Sequence, residues 1–197
     1  MTTPRKSSTQ DALHPHTFSD LSLAESLTVT AMLSALALAL SWLETLIPFL
    51  PSLPGVKLGL ANLVVIFALY RLSPRSALLL NVVRILLSGF LFSGVFGILY
   101  SIAGAAASFL IMVLLLRQNQ KRTARGKAEL FSIYGISMTG GVFHNLGQLL
   151  VALMLLSNLN LIYYLPVMIL SGIAAGILNG VIAALLLQRL PSGLLQK

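Results

Sequence analysis

Six apolar runs, separated by short polar or proline-rich breaks, can be read along the chain: about Leu27 to Ile47, Leu58 to Leu72, Ser76 to Phe96, Ile98 to Leu116, Phe131 to Leu156 and Tyr163 to Leu187. The hydrocarbon core of a bilayer takes about 20 apolar residues of helix, and five of the runs approach or exceed that length. The pattern predicts an all-α, polytopic six-transmembrane-helix bundle over residues 26–190, with 1–25 a disordered cytoplasmic tail and 191–197 a second cytoplasmic tail. The second run is short, and the "PFLPSLPG" ahead of it (Pro48 to Gly55) cannot be regular helix, so this hairpin is expected to dip instead of standing upright. The third and fourth runs are split only by "SGVFG", Ser93 to Gly97, which predicts a tight turn. The topology of everything downstream depends on that turn.

Composition strengthens the membrane reading. Hydrophobic residues make up 57% and charged residues 9% of the chain, with a mean hydropathy of +0.92, whereas a soluble domain is roughly 25% charged. The net charge of +8 would suggest nucleic acid if the bases formed one patch, but they do not. With the amino terminus inside, the inner side collects Arg5, Lys6, Arg71, Arg75, Arg117, Lys121, Arg122, Arg125, Lys127, Arg189 and Lys197, the outer side only Lys57, and Arg84 falls within a span. Such an asymmetry is the positive-inside pattern; it predicts both termini in the cytoplasm and removes nucleic acid as the explanation of the charge. No cleavable signal peptide is expected, because the first 25 residues are polar. The lack of cysteine excludes disulfides, thiolate metal sites and cysteine nucleophiles.

Against this apolar background, "GGVFHNLGQLLVA" (Gly140 to Ala152) is anomalous. At about 100° per residue, Gly141, His144 and Gln148 share an arc of about 60°, with Asn145 about 40° outside it. Polar groups near the middle of a span are expensive in hydrocarbon and mark either an interhelical hydrogen-bond network or a ligand path. Glu44, Lys57 and Asn62 fall in the same outer half, so a pocket of Lys57, Asn62, His144, Asn145 and Gln148 opening outward is expected. Arg84, in the third run with Asn81, either snorkels to the cytoplasm or reaches this cavity. If Lys57, Arg84 and Glu44 surround it, its fixed charge is near +1, which suits a neutral or mildly anionic ligand. Two stripes of small residues stand four apart: Ala31, Ala35 and Ala39 on the first span and Gly172, Gly176 and Gly180 on the last. Each either packs within the bundle or docks a partner.

Catalytic machinery is not legible. The five acids, Asp11, Asp20, Glu25, Glu44 and Glu129, are scattered, so clustered aspartates that would hold magnesium on a diphosphate are missing, as is a nucleotide-binding loop. A serine activated by His144 would need an orienting acid, and none is expected at that depth. His14 and His16 on the tail are an incidental pair. The chain is therefore not expected to be an enzyme, and no cofactor or metal is implied.

The strings "VKLGLANLVVIFALY" (Val56 to Tyr70), "NVVRILLSGFLFSG" (Asn81 to Gly94), "SMTGGVFHNLGQLLVALML" (Ser137 to Leu155) and "YYLPVMILSGIAAGILNG" (Tyr163 to Gly180) resemble the Gx transporter family, also labelled heptaprenyl diphosphate synthase component I. The family is similar to the six-helix substrate-binding components of energy-coupling-factor transporters. That resemblance implies a bacterial inner-membrane protein that binds a small-molecule substrate, with a transmembrane coupling subunit and ATPases as partners and Ala31, Ala35 and Ala39 as the docking stripe. The expected function is thus a substrate-capturing subunit for uptake. The alternatives are a noncatalytic accessory subunit of a polyprenyl diphosphate synthase, or a membrane scaffold with a structural polar core.

Overall fold

A computed structural model describes residues 23–46 and 59–189, and the described residues are helical with no strand. The helices are α1 (Leu23–Leu46), α2 (Leu60–Arg71), α3 (Pro74–Ser88), α4 (Gly94–Thr123), α5 (Ile133–Leu156) and α6 (Leu165–Arg189). A π-type turn, Gly89–Ser93, joins α3 to α4, and a 3-10 turn, Leu159–Tyr164, leads into α6. Residues 1–22 of the expected amino-terminal tail, the carboxy-terminal tail and the proline-rich stretch with Lys57 lie outside the described residues, whereas 23–25, expected in the tail, are the first residues of α1.

Four stretches are long and apolar enough to cross a membrane: Ala24–Glu44, Pro74–Thr123, Ile133–Leu156 and Leu159–Arg189. Large apolar side chains such as Phe90, Leu110 and Leu170 stand exposed, as expected where lipid and not water is the solvent. The expected separate third and fourth spans are thus one apolar stretch, but it is not straight. A Cβ built on Gly89 would lie 2.0 Å from Ile98 Cγ1, whereas nine residues of straight helix rise about 13 Å. Ile85 and Ile102 also line one hollow. The chain therefore doubles back at Gly94, whose φ of 66° is one that side-chain-bearing residues rarely adopt. A turn is present but lies earlier than the expected Ser93 to Gly97: the π-type turn Gly89–Ser93 and the positive-φ Gly94 form it, and residues 95–97 already belong to α4.

Local chemistry sets the other boundaries. Ser73 caps α3 by accepting from the Ser76 N–H at 3.1 Å, with Pro74 at the first helical position, and Ser132 caps α5 by accepting from Gly135 N–H at 3.2 Å. Between α4 and α5 the buried Asn119 closes the loop: its amide donates to the Phe131 carbonyl at 2.6 Å, and its oxygen accepts from Leu130 and Phe131 N–H at 3.1 Å each.

At 12 residues, or about 18 Å, α2 is too short to span the hydrocarbon core alone. Apart from Asn62 and the terminal Arg71 it is apolar, and it is buried nearly throughout, with Ala61, Val64, Val65, Ala68 and Leu69 each at 5% exposure or less, the mark of a helix enclosed by others. It contacts α1, α3 and α6. Both ends are tied to α6: the Asn179 amide donates to the Gly59 carbonyl at 2.9 Å, and Arg71 Nη2 donates to the Leu187 carbonyl at 2.7 Å. These two ties rise together along both helices, so α2 and α6 run parallel.

The glycine stripe on α6 faces inward. Cβ atoms on Gly172 and Gly176 would lie 2.8 Å from Gly141 O and 2.5 Å from Met138 Cα, so α5 and α6 meet backbone to backbone. The alanine stripe on α1 faces the other way. Ala31, Ala35 and Ala39 are exposed, while Thr30, Ser34, Ala37 and Ser41 form the buried face.

Candidate functional site

Where the Glu44 end of α1, the start of α2, the α3–α4 turn and the middle of α5 converge, a polar pocket forms. From α1 it is lined by Ser41 and Glu44, from α2 by Asn62 beside Gly59, and from α3 by Arg84 and Ser88. Ser101 of α4 and His144 and Gln148 of α5 complete the wall, with Phe92 and Ser93 at the turn. The empty space is about 450 Å³, counting the open mouth; the enclosed part holds about one water molecule.

Each side chain reaches this place for a local reason. Ser41 and Glu44, and Arg84 and Ser88, are spaced by three and four residues, so each pair shares one helix face. His144 and Gln148 are likewise a turn apart, and their Nε2 atoms lie 3.2 Å apart in a hydrogen bond. The absence of side chain at Gly104 lets α4 come close beside them, since a Cβ there would lie 2.9 Å from Gln148 Cγ and from the His144 carbonyl. The Glu44 carboxylate accepts a hydrogen bond from the Leu60 N–H, pinning the start of α2 to the end of α1. That is the anionic complement a helix N-terminus favours.

Arg84 is 7% exposed and does not snorkel: its Nη2 donates to Asn81 Oδ1 at 2.8 Å, and the side chain lies on the pocket wall. Three helical residues allow this bond within α3, and it fixes the guanidinium against the pocket. Buried atoms without a hydrogen-bond partner concentrate here, among them Arg84 Nε and Gln148 Oε1, with Asn179 Oδ1 close by on α6. Buried polar atoms are normally satisfied, so such a cluster around a hollow indicates groups held for a guest or for water.

Of the residues singled out from sequence, Asn62, Arg84, His144 and Gln148 meet in this pocket, together with Glu44. Asn145 does not. It points to α6, where its amide donates to the Met168 carbonyl at 2.7 Å and to Ser171 Oγ at 3.0 Å. The 100° step from His144 to Asn145 carries the side chain past the pocket to the neighbouring helix. Lys57 lies outside the described residues. The expectation that no acid shares the depth of His144 is corrected by Glu44, which lines the same pocket. Among the pocket's charges in the described residues, the Glu44 carboxylate offsets the Arg84 guanidinium.

Sequence reading missed the hydroxyls of Ser41, Ser88, Ser93 and Ser101. Ser41 and Ser88 could have been found by helical spacing from Glu44 and Arg84; Ser93 and Ser101 required knowledge of the chain reversal. Among the described residues there is no group of three or more His, Cys, Asp or Glu side chains that could hold a metal ion. A second hollow, of about 530 Å³ counting its open mouth and almost wholly apolar, lies between Val82, Ile85 and Leu86 of α3 and the facing Ile102, Ala106 and Phe109 of α4. Asn81, on its wall, is the hydrogen-bond partner of Arg84.

Comparison with known proteins gives one family: the model described as heptaprenyl diphosphate synthase component I matches residues 33–186. Neither curated proteins nor solved structures gave a match.

Proposed function

The chain belongs to the heptaprenyl diphosphate synthase component I family, and from that premise we propose that it is a noncatalytic membrane accessory subunit of a polyprenyl diphosphate synthase. The family is that of a component of the synthase, and the chain is not itself an enzyme. The observation that carries the reading is the reach of the match, which runs from α1 to α6 and takes in every helix that builds the polar pocket. The partner is a catalytic synthase subunit, which this chain holds at the bilayer where a long isoprenoid product must partition. The apolar hollow between α3 and α4 suits such a chain in chemistry.

In this reading the polypeptide crosses a bacterial inner membrane six times with both termini in the cytoplasm. The distribution of basic residues, the reversal at Gly94 and the parallel run of α2 and α6 support that topology. The test is purification of the tagged full chain from membranes. A polyprenyl synthase subunit is expected to copurify, and deletion of the chain is expected to shift the length distribution of the polyprenyl products. A synthase that neither associates nor changes its products contradicts the proposal.

A second reading is favoured by a separate observation, the compact polar pocket with its unpartnered buried atoms. It makes the chain a substrate-binding subunit for uptake of a small molecule, with Asn62, Arg84, His144 and Gln148 contacting the ligand. The exposed Ala31, Ala35 and Ala39 stripe would then dock a transmembrane coupling subunit associated with ATPases. Copurification of those subunits in place of a synthase decides for this reading.

A further inference from the structure

We infer that the polar pocket is a binding site for a small zwitterion, with a carboxylate on Arg84 and a cationic group on the side of Glu44. This deepens the second reading above and does not depend on a synthase partner. Arg84 supplies the first half of the argument. The residue is more than nine-tenths buried, lines the pocket, has Asn81 Oδ1 as a hydrogen-bond partner at Nη2, and keeps Nε without a partner. A guanidinium is a planar fork of donors that matches a carboxylate in two parallel hydrogen bonds, and a buried cation gains most from a close anion.

Glu44 supplies the second half. It lines the same pocket and acts electrostatically on Arg84. The charges of these two walls cancel, so a guest with a net charge leaves an imbalance in a low-dielectric site. A diphosphate, bearing at least two negative charges, would face one guanidinium and one carboxylate and is disfavoured. A monocarboxylate still leaves one negative charge uncompensated. A zwitterion leaves none, and its two poles lie on the walls that complement them. Asn62, His144 and Gln148 add neutral hydrogen-bonding groups between the poles, and Gln148 Oε1 is an acceptor with no protein partner. The enclosed part of the pocket holds about one water molecule, so most of the guest lies in the open mouth, within the total empty space of about 450 Å³.

The test uses the purified full chain in lipid nanodiscs, with glycine as the minimal zwitterionic probe and acetate, methylamine, acetamide and inorganic diphosphate as controls at matched ionic strength. Glycine is expected to raise the thermal unfolding temperature in a saturable way. Acetate and methylamine are expected to bind at least tenfold more weakly, and acetamide and diphosphate not at all. Arg84→Gln is expected to lower glycine affinity at least tenfold, as is Glu44→Gln, which keeps an acceptor for the Leu60 N–H. If Arg84→Gln does not fold, Arg84→Lys serves, since it keeps the charge but loses the fork, and the same tenfold loss is expected. No response to glycine, a stronger response to diphosphate, or unchanged binding in the folded variants overturns the inference. The synthase reading is unaffected by any of these results, because its test is copurification.

Discussion

Helix α5 has two polar faces that differ in kind. Toward α6, every polar group has a partner: Asn145 reaches the Met168 carbonyl, Ser137 Oγ donates to the Gly176 carbonyl at 2.6 Å, and glycines bring the backbones into contact. Toward the pocket, one residue before and three after Asn145, His144 and Gln148 face a hollow where Gln148 Oε1 and Arg84 Nε have no hydrogen-bond partner. The first face has the organisation of interhelical glue, in which polar atoms replace a hydrophobic driving force that lipid cannot provide. The second is only partly satisfied: Gln148 bonds to His144 and Arg84 to Asn81, but Gln148 Oε1 and Arg84 Nε bear the cost of burial uncompensated, which suits groups that act on something else. The presence of polar residues in a span therefore does not identify a site. Their unsatisfied atoms beside open space do.

The largest effect should come from breaking the glue. In Gly141→Ala the new Cβ would lie 2.3 Å from the Gly172 carbonyl oxygen; because that atom is backbone, the helices must separate, and a loss of about 1–3 kcal/mol or more is expected in a reversible unfolding titration in mixed micelles. Removing one satisfied hydrogen bond should cost less: Ser137→Ala is expected to lose about 1 kcal/mol in the same titration. On the pocket face the effect should be smaller. Gln148→Leu removes an acceptor that has no partner together with the hydrogen bond from its amide to His144 Nε2, so the two effects oppose and the loss of stability is expected to stay below about 1 kcal/mol, while binding of any polar ligand is weakened. The smallest effect on folding is expected at the exposed stripe, where Ala35→Leu leaves the unfolding curve unchanged but reduces recovery of partner subunits in pull-downs.

The sequence pattern made the helices legible because a bilayer demands long apolar segments, and the reversal near Gly94 was legible from its glycines and serine. The role of α2 was not. A short apolar run reads as an incomplete crossing, whereas its burial on all sides makes it the hub that α1, α3 and α6 enclose. The two small-residue stripes were equally opaque: alanines and glycines have the same spacing, yet one faces out and the other in. In a soluble helix the apolar side would have pointed inward, but lipid-facing and protein-facing positions are both apolar here, so periodicity loses its meaning. The same limit explains Asn145. Spacing placed it within a broad polar arc, but which neighbour lies along each part of that arc is a property of tertiary packing.

The division of α5 into a structural and a ligand-directed face is tested most directly by measuring unfolding free energies of the double variant Glu44→Gln/Arg84→Met and of Asn145→Leu side by side in the same bilayer mimetic. Replacing both members of a buried pair of opposite charges with neutral side chains of similar length is often neutral or stabilising, whereas deleting a satisfied interhelical hydrogen bond costs about 0.5–2 kcal/mol. Asn145→Leu is therefore expected to be the less stable variant and Glu44→Gln/Arg84→Met to equal or exceed the parent. Strong destabilisation by the double variant, with Asn145→Leu unaffected, would contradict the account and make the pocket the structural core.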